Sequence, residues 1–271
     1  MTLEEYLNKF HRPRTVIEYK RDIGLFLENT PNPQNGTIKD ILSYLEILRK
    51  KFDNPSTIKK VLVAVRKYYQ YLVVINYRDD NPVDGVKLND VKKKNRTEGL
   101  YDDEQLEQLK EQILAEETLY YKSLFSLLIF QALTITELQQ VLKENIDLTK
   151  GAITIKATNL TLTRTLKLDP TQILIFYKLL ETYTDDKLPL FNETHMAIQY
   201  HLKHRYKIEN VKKIIPSKVR RSLVSKWVRE GKDLREVQYL AGYKSILTAQ
   251  AYTSLMDEKL KERIRMLHPL R

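Results

Sequence analysis

Apolar residues in the first 76 positions recur three and four apart in a series of runs, the spacing that lines one face of a 3.6-residue helix. Each run begins behind a residue suited to capping it. Thr2 and Glu5 form a capping box, Thr15 opens VIEYKRDIGLFLEN, Thr37 opens IKDILSYLEILRKKF, and Ser56 opens TIKKVLVAVRKYYQYLVVI. Turn signals at Pro13, from Pro31 to Gly36 and at Asn54-Pro55 separate the runs. In the last run Ile58, Val61, Leu62, Val65, Tyr68 and Leu72 make a core-facing stripe, and the other face carries Lys59, Lys60, Arg66, Lys67 and Gln70.

The pattern dissolves after Asn81-Pro82, where VDGVKLNDVKKKNRTEG is polar and Lys-rich and reads as an interdomain linker. This predicts a helical domain over 1–80, a linker over 81–100 and a second domain over 101–271. The second domain opens with Asp102 or Asp103 as N-cap and the spacing Leu106, Leu109, Ile113, Leu114. YYKSLFSLLIFQAL follows, apolar nearly all round, as the expected buried centre. AITIKA and RTLKL, on either side of Asn159, alternate with period two and predict a β-hairpin. Helices are predicted over 171–183, 195–206 and 217–230, with a short strand from Leu188 to Phe191. Met256, Leu260, Ile264 and Leu267 form the stripe of a short terminal helix.

Charge narrows the partners. The 271 residues carry a formal +11, and residues 1–100 contribute +6 against +5 from the rest, so both halves suit one polyanion, nucleic acid first. Two further readings of a basic chain are a ribosomal or a membrane-surface protein. On α-helical geometry Lys59, Lys60, Arg66 and Lys67 fall two turns apart, which suits successive phosphates, and Lys92, Lys93, Lys94 and Arg96 can track a backbone; the plainer alternative for both groups is a solvated surface.

No Cys is present, which excludes disulfides, thiolate metal sites and cysteine nucleophiles. Seven scattered Gly offer no P-loop or dinucleotide fingerprint, so no nucleotide cofactor is expected. His195, His201 and His204 lack a carboxylate at ligand spacing and read as surface histidines, and no metal is expected. Neither a signal segment nor an 18-residue apolar stretch occurs, which predicts a soluble, cytoplasmic, nucleoid-associated protein.

The stretch from Ser217 to Tyr252, SKVRRSLVSKWVREGKDLREVQYLAGYKSILTAQAY, sets Arg220, Tyr243 and Tyr252 at intervals of 23 and nine residues. It resembles the C-terminal catalytic segment of the tyrosine recombinases, or phage-type integrases, of the Xer-like kind. There a His-x-x-Arg opens a helix, a Leu-Gly-His turn follows, and a nucleophilic Tyr lies nine residues beyond the second His. Arg220 and Tyr252 match; Ser217 and Tyr243 stand where the histidines would be. Thr134, before Ile135-Thr136-Glu137-Leu138, takes the place of the family's first arginine. Counting back from Arg164, the place of its hairpin lysine falls near Asn159, with Lys156 the nearest lysine.

The resemblance implies a mainly α, two-domain fold that clamps duplex DNA: a helical, SAM-like core-binding domain and an α-rich catalytic domain with a small antiparallel hairpin or sheet. It also implies metal-free chemistry, in which two arginines clamp the scissile phosphate, the lysine acts as general acid and the histidine positions assist. Losing one preorganised donor of this kind costs on the order of 10²–10³ in rate. Thr134, Asn159, Ser217 and Tyr243 therefore predict a DNA-binding family member in recombination or integration that cleaves weakly or not at all alone; for residues 256–271 the plainer reading is a helix packed on its own domain, and the resemblance implies instead a contact to an active recombinase partner or a homo-oligomer. The alternatives are a divergent recombinase that cleaves through Tyr252, with Arg220 as clamp beside Arg221, and a repressor or architectural protein on the same fold.

Overall fold

The computed structural model describes residues 1–88, 99–183 and 188–253. The chain divides into two compact units, Met1–Lys94 and Asn95–Arg271. Lys92, Lys93, Lys94 and Arg96, and the stripe over 256–271, lie outside the described residues.

The first unit holds helices α1 (Leu3–Phe10), α2 (Pro13–Asn29), α3 (Ile38–Lys51) and α4 (Pro55–Val74). The Thr2 capping box forms: Thr2 N–H donates to Glu5 Oε2 at 2.8 Å, and Glu5 N–H to Thr2 Oγ1 at 3.2 Å. At the start of α3 the Thr37 N–H and hydroxyl both donate to Asp40 Oδ2, each at 2.8 Å. Two predicted starts move upstream. α2 begins at Pro13 rather than behind Thr15, and α4 at Pro55 with Asn54 as N-cap rather than at Ser56. The reason is the same in both: proline lacks an N–H, so it fits the first helical position as well as it fits a turn. The stripe Ile58, Val61, Leu62, Val65, Tyr68, Leu72 is buried against Leu7, Ile23, Phe26, Ile41, Tyr44 and Leu48.

In the second unit, Asp102 caps α5 (Asp103–Ala115), accepting from Gln105 N–H at 2.8 Å. α6 (Leu119–Phe130) runs through the centre of the core, with Leu124, Phe125, Leu127 and Leu128 fully buried. α7 (Ile135–Leu138) is a single turn. An antiparallel sheet follows, β1 (Ile146–Asp147), β2 (Ala152–Ile155) and β3 (Arg164–Lys167), in that order. The predicted hairpin is β2–β3, in register Ile153 with Leu166 and Ile155 with Arg164. The two-residue β1 was too short to show an alternation. In place of the predicted strand from Leu188 to Phe191, Pro189 makes one isolated bridge to Leu142, since a proline supplies only a carbonyl.

α8 (Pro170–Glu181), α9 (His195–Arg205) and α10 (Pro216–Arg229) match the three predicted helices, and α11 (Leu234–Ala241) and α12 (Ile246–Gln250) complete the described fold. Gly242 ends α11 at φ +67, a left-handed backbone that favours glycine.

Candidate active site

Three segments far apart in sequence meet at one carboxylate. Thr134, at the N-cap of α7, takes Glu137 N–H on its hydroxyl at 3.2 Å and returns two bonds to Glu137 Oε2, from its N–H at 2.8 Å and from its hydroxyl at 3.0 Å. The other oxygen, Oε1, accepts from Arg164 Nη1 at 2.6 Å, and both side chains are essentially inaccessible, at 1% and 0%. Arg220 Nη1 lies 3.8 Å from Glu137 Oε2. Burial alone would raise the Glu137 carboxyl above the ordinary range. The hydrogen bond and charge of Arg164, the charge of Arg220 and the Thr134 N–H outweigh it, and the net direction is down.

The two guanidiniums are tied down further. Arg164 Nε donates to Leu240 O at 2.9 Å and Nη1 to Leu162 O at 3.3 Å. Arg220, on α10, donates to the carbonyls of Ala132 and Ala241, and Tyr243 lays its ring 5.2 Å from the Arg220 guanidinium carbon. A Cβ on Gly242 would run into the Arg164 guanidinium, so glycine is required there for space as well as for φ. The hairpin loop joins the same turn: Leu162 N–H donates to Gly242 O at 2.9 Å, and Thr161 bridges Tyr243.

The structure therefore brings Thr134, Arg220 and Tyr243 together, and sets the other predicted positions around them. Ser217 is exposed on the first turn of α10. Asn159 is exposed at the hairpin tip, where Thr158 N–H closes a turn onto Thr161 O at 3.1 Å. Lys156 points to Glu144, 3.1 Å away. Tyr252 is 2% exposed, packed in a cluster with Val224, Val228, Val237, Ala241 and Ala249.

Glu137 and Arg164 are the site residues that motif matching passed over. Their signal was in the alternation of β3: Arg164, Leu166 and Leu168 share the inward phase, so a cation was being placed on the core face and needed a buried partner.

On the first unit, Lys59 and Lys60 are exposed on an open groove of about 1130 Å³ between α2 and α4, whose α2 wall carries Glu18, Asp22 and Glu28. Arg66 is paired with Asp84 at 3.0 Å and donates to Val83 O at 3.1 Å. Lys67 is half-buried. His201 sits 3.0 Å from Tyr121 Oη and 3.9 Å from Glu193. Among the described residues no group of three or more His, Cys, Asp or Glu is placed to hold a metal, and no helix is long and apolar enough to cross a membrane.

Residues 100–259 match the Phage integrase family, and residues 3–74 match the phage integrase N-terminal SAM-like domain. The chain belongs to this family, the tyrosine recombinases. It is 25% identical to tyrosine recombinase XerC of Oceanobacillus iheyensis, over 99% of this chain and 95% of the relative. It is 26% identical to tyrosine recombinase XerA of Pyrococcus furiosus, over 92% and 86%. Among solved structures, a lambda integrase dimer bound to a COC' core site superposes with a TM-score of 0.69 at 13% identity, over 93% of this chain and 95% of that one. The XerH recombinase bound to a palindromic difH substrate gives 0.64 at 19%, over 84% and 72%.

Proposed function

We propose that this protein binds duplex DNA and acts in site-specific recombination or integration, and that alone it cleaves strands weakly or not at all. The observation that carries the reading is the state of the Thr134 corner. Where the family presents an arginine to the scissile phosphate, this chain has a threonine whose hydroxyl and N–H are committed to Glu137. The retained Arg220 is itself held by Ala132 O, Ala241 O and the Tyr243 ring. Attack on a phosphodiester builds charge on its non-bridging oxygens, and one guanidinium answers it here instead of two.

Support for DNA as the partner comes from the family itself, from the +11 charge spread over both units, and from DNA in the lambda integrase and XerH structures. The two family matches, over 3–74 and 100–259, leave 75–99 between them, which suits the division into a core-binding domain, a linker over 81–100 and a catalytic-type domain. Residues 256–271 are the proposed contact to a second subunit or an active partner.

The test is a nicked suicide substrate carrying the protein's own site, scored for a covalent protein–DNA adduct. Salt-sensitive binding with no adduct is expected from the protein alone. An adduct that disappears in Tyr252→Phe would establish the divergent recombinase instead.

A further inference from the structure

Among the described residues, those other than glycine with a positive φ are Asn32, Asn76, Asn210 and Ala132. Asparagine tolerates the left-handed region, and the three asparagines are exposed. Ala132, at φ +52, is fully buried just past the end of α6. A helix cap explains the conformation: Gln131 N–H donates to Leu127 O at 3.2 Å and Leu133 N–H to the same oxygen at 3.4 Å. It does not explain the alanine. A left-handed cap is usually glycine, and the steric penalty of a Cβ there is about a factor of five to thirty in the folding equilibrium.

The Cβ restricts the residue's own carbonyl. At this φ a residue with a Cβ has one allowed well, at ψ of about +30 to +60°. A second well, at ψ of about ±150–180°, is essentially open to glycine alone. The Ala132 carbonyl therefore has one direction where a glycine carbonyl would have two. Both neighbours keep the turn in place. The Gln131 side chain donates to Lys167 O at 3.0 Å and to Gln172 Oε1 at 2.7 Å, and Leu133 is fully buried.

That fixed carbonyl faces Arg220. It accepts from Nη1, while Nη2 donates to the Ala241 carbonyl at the end of α11. Each terminal nitrogen of the guanidinium thus has one N–H committed to backbone at the C-terminal end of a helix, where the macrodipole favours a cation. Nη1 also lies 3.8 Å from Glu137 Oε2, and the Tyr243 ring stands 5.2 Å away on another side. A phosphate that takes both terminal nitrogens has to compete with these partners.

We infer that Ala132 is a positioning residue: by denying its carbonyl a second direction it keeps Arg220 on the backbone and restrains the arginine from a DNA phosphate. The inference rests on the DNA-binding reading above and adds the element that limits Arg220 within it. Strained residues that persist at a ligand clamp are held by their surroundings, and here those surroundings are the buried Gln131–Gln172 amide pair and Arg220 itself.

The test is fluorescence-anisotropy titration of a short labelled duplex with the full chain across a series of salt concentrations. Ala132→Gly opens the second carbonyl direction. It is expected to bind several-fold tighter and to steepen the slope of log affinity against log salt by about 0.9, the value of one added phosphate contact. The same variant is expected to be at least as stable as the wild type by Trp227 fluorescence, since it removes the left-handed penalty. Ala132→Ser keeps a Cβ and is expected to bind as the wild type does. Arg220→Lys has one nitrogen and cannot hold both carbonyls, so adding Ala132→Gly to it is expected to change neither affinity nor slope. Unchanged or weaker binding in Ala132→Gly overturns the restraint and leaves DNA binding standing. Equal tightening in the Arg220→Lys background, or tightening in Ala132→Ser, overturns it as well, because the effect would not run through the carbonyl and Arg220. A wild-type protein whose affinity ignores salt overturns the DNA-binding reading, and the restraint with it.

Discussion

The two units bury different chemistry. In the first, the described buried residues are apolar or aromatic except for Asp22 and Thr30. In the second, Ser123, Ser126, Gln131, Glu137, Asn145, Thr161, Arg164, Gln172, Arg220, Ser222 and Ser225 are all buried. Apolar burial is non-directional: it holds α4 against α2 and α3 without dictating where any one atom points. A buried ion pair is worth having only at good geometry, so Glu137, Arg164 and Arg220 fix the relative placement of α7, the hairpin and the turn after α11 atom by atom. The first unit is built to be stable, the second to hold a constellation in place.

The comparison breaks most sharply at Glu137. Glu137→Ala leaves two guanidiniums buried without their carboxylate and is expected to cost about 3–5 kcal/mol. Denaturant unfolding followed by the fluorescence of Trp227, the one tryptophan of the chain, reads the second unit directly. A loss under about 1 kcal/mol, the value of an exposed pair, would show that the joint is not a buried ion pair in energetic terms.

Leu48→Ala is the counterpart in the first unit. It is expected to cost about 3 kcal/mol through lost transfer energy and the cavity left behind. If the units unfold separately, the shift appears in far-ultraviolet circular dichroism and leaves the Trp227 transition where it was. Coincident shifts would mean that the two behave as one cooperative block.

Acid sharpens the contrast. The folded-state pKa of Glu137 is depressed, so its stabilisation is complete above the ordinary carboxylate range and is lost as pH falls through that range toward the folded value. The difference in Trp227-monitored stability between wild type and Glu137→Gln should therefore be flat above about pH 5 and shrink below it. A difference that persists unchanged into acid would argue against an ionised Glu137. The smallest effect is expected at a cap: Thr2→Ala should cost about 1 kcal/mol, read by circular dichroism, because it removes one side-chain acceptor at an exposed helix end.

What could be read in advance follows the same division. The stripe from Ile58 to Leu72, the apolar α6 and the alternating β2 and β3 were legible because burial of apolar side chains imposes a period on the chain. The starts of α2 and α4 were displaced because Pro13 and Pro55 serve a turn and a first helical turn equally well. Thr134, Ser217, Arg220, Tyr243 and Tyr252 were located by spacing within a resemblance. Matching positions to a family carries no information on what a side chain touches, so the capture of Arg220 by two carbonyls was out of reach, whereas Thr134 and Glu137 have the Thr-x-x-Glu spacing that announced the Thr2 capping box, a signal passed over there. Arg164 served only to count register, although its inward phase in β3 already implied a buried acid somewhere else in the chain.

Tyr252 has a kinetic consequence. If Tyr252 is the nucleophile of the divergent-recombinase reading, a side chain 2% exposed among Val224, Val228 and Val237 has to leave that cluster to meet a phosphate, and cleavage then begins from a minority conformer. The observed rate is then the intrinsic rate multiplied by that conformer's population, and an opening cost of about 2.8 kcal/mol alone lowers it about a hundredfold. Substitutions such as Val224→Ala, remote from any proton transfer, would raise turnover by changing a population and not a barrier of bond breaking.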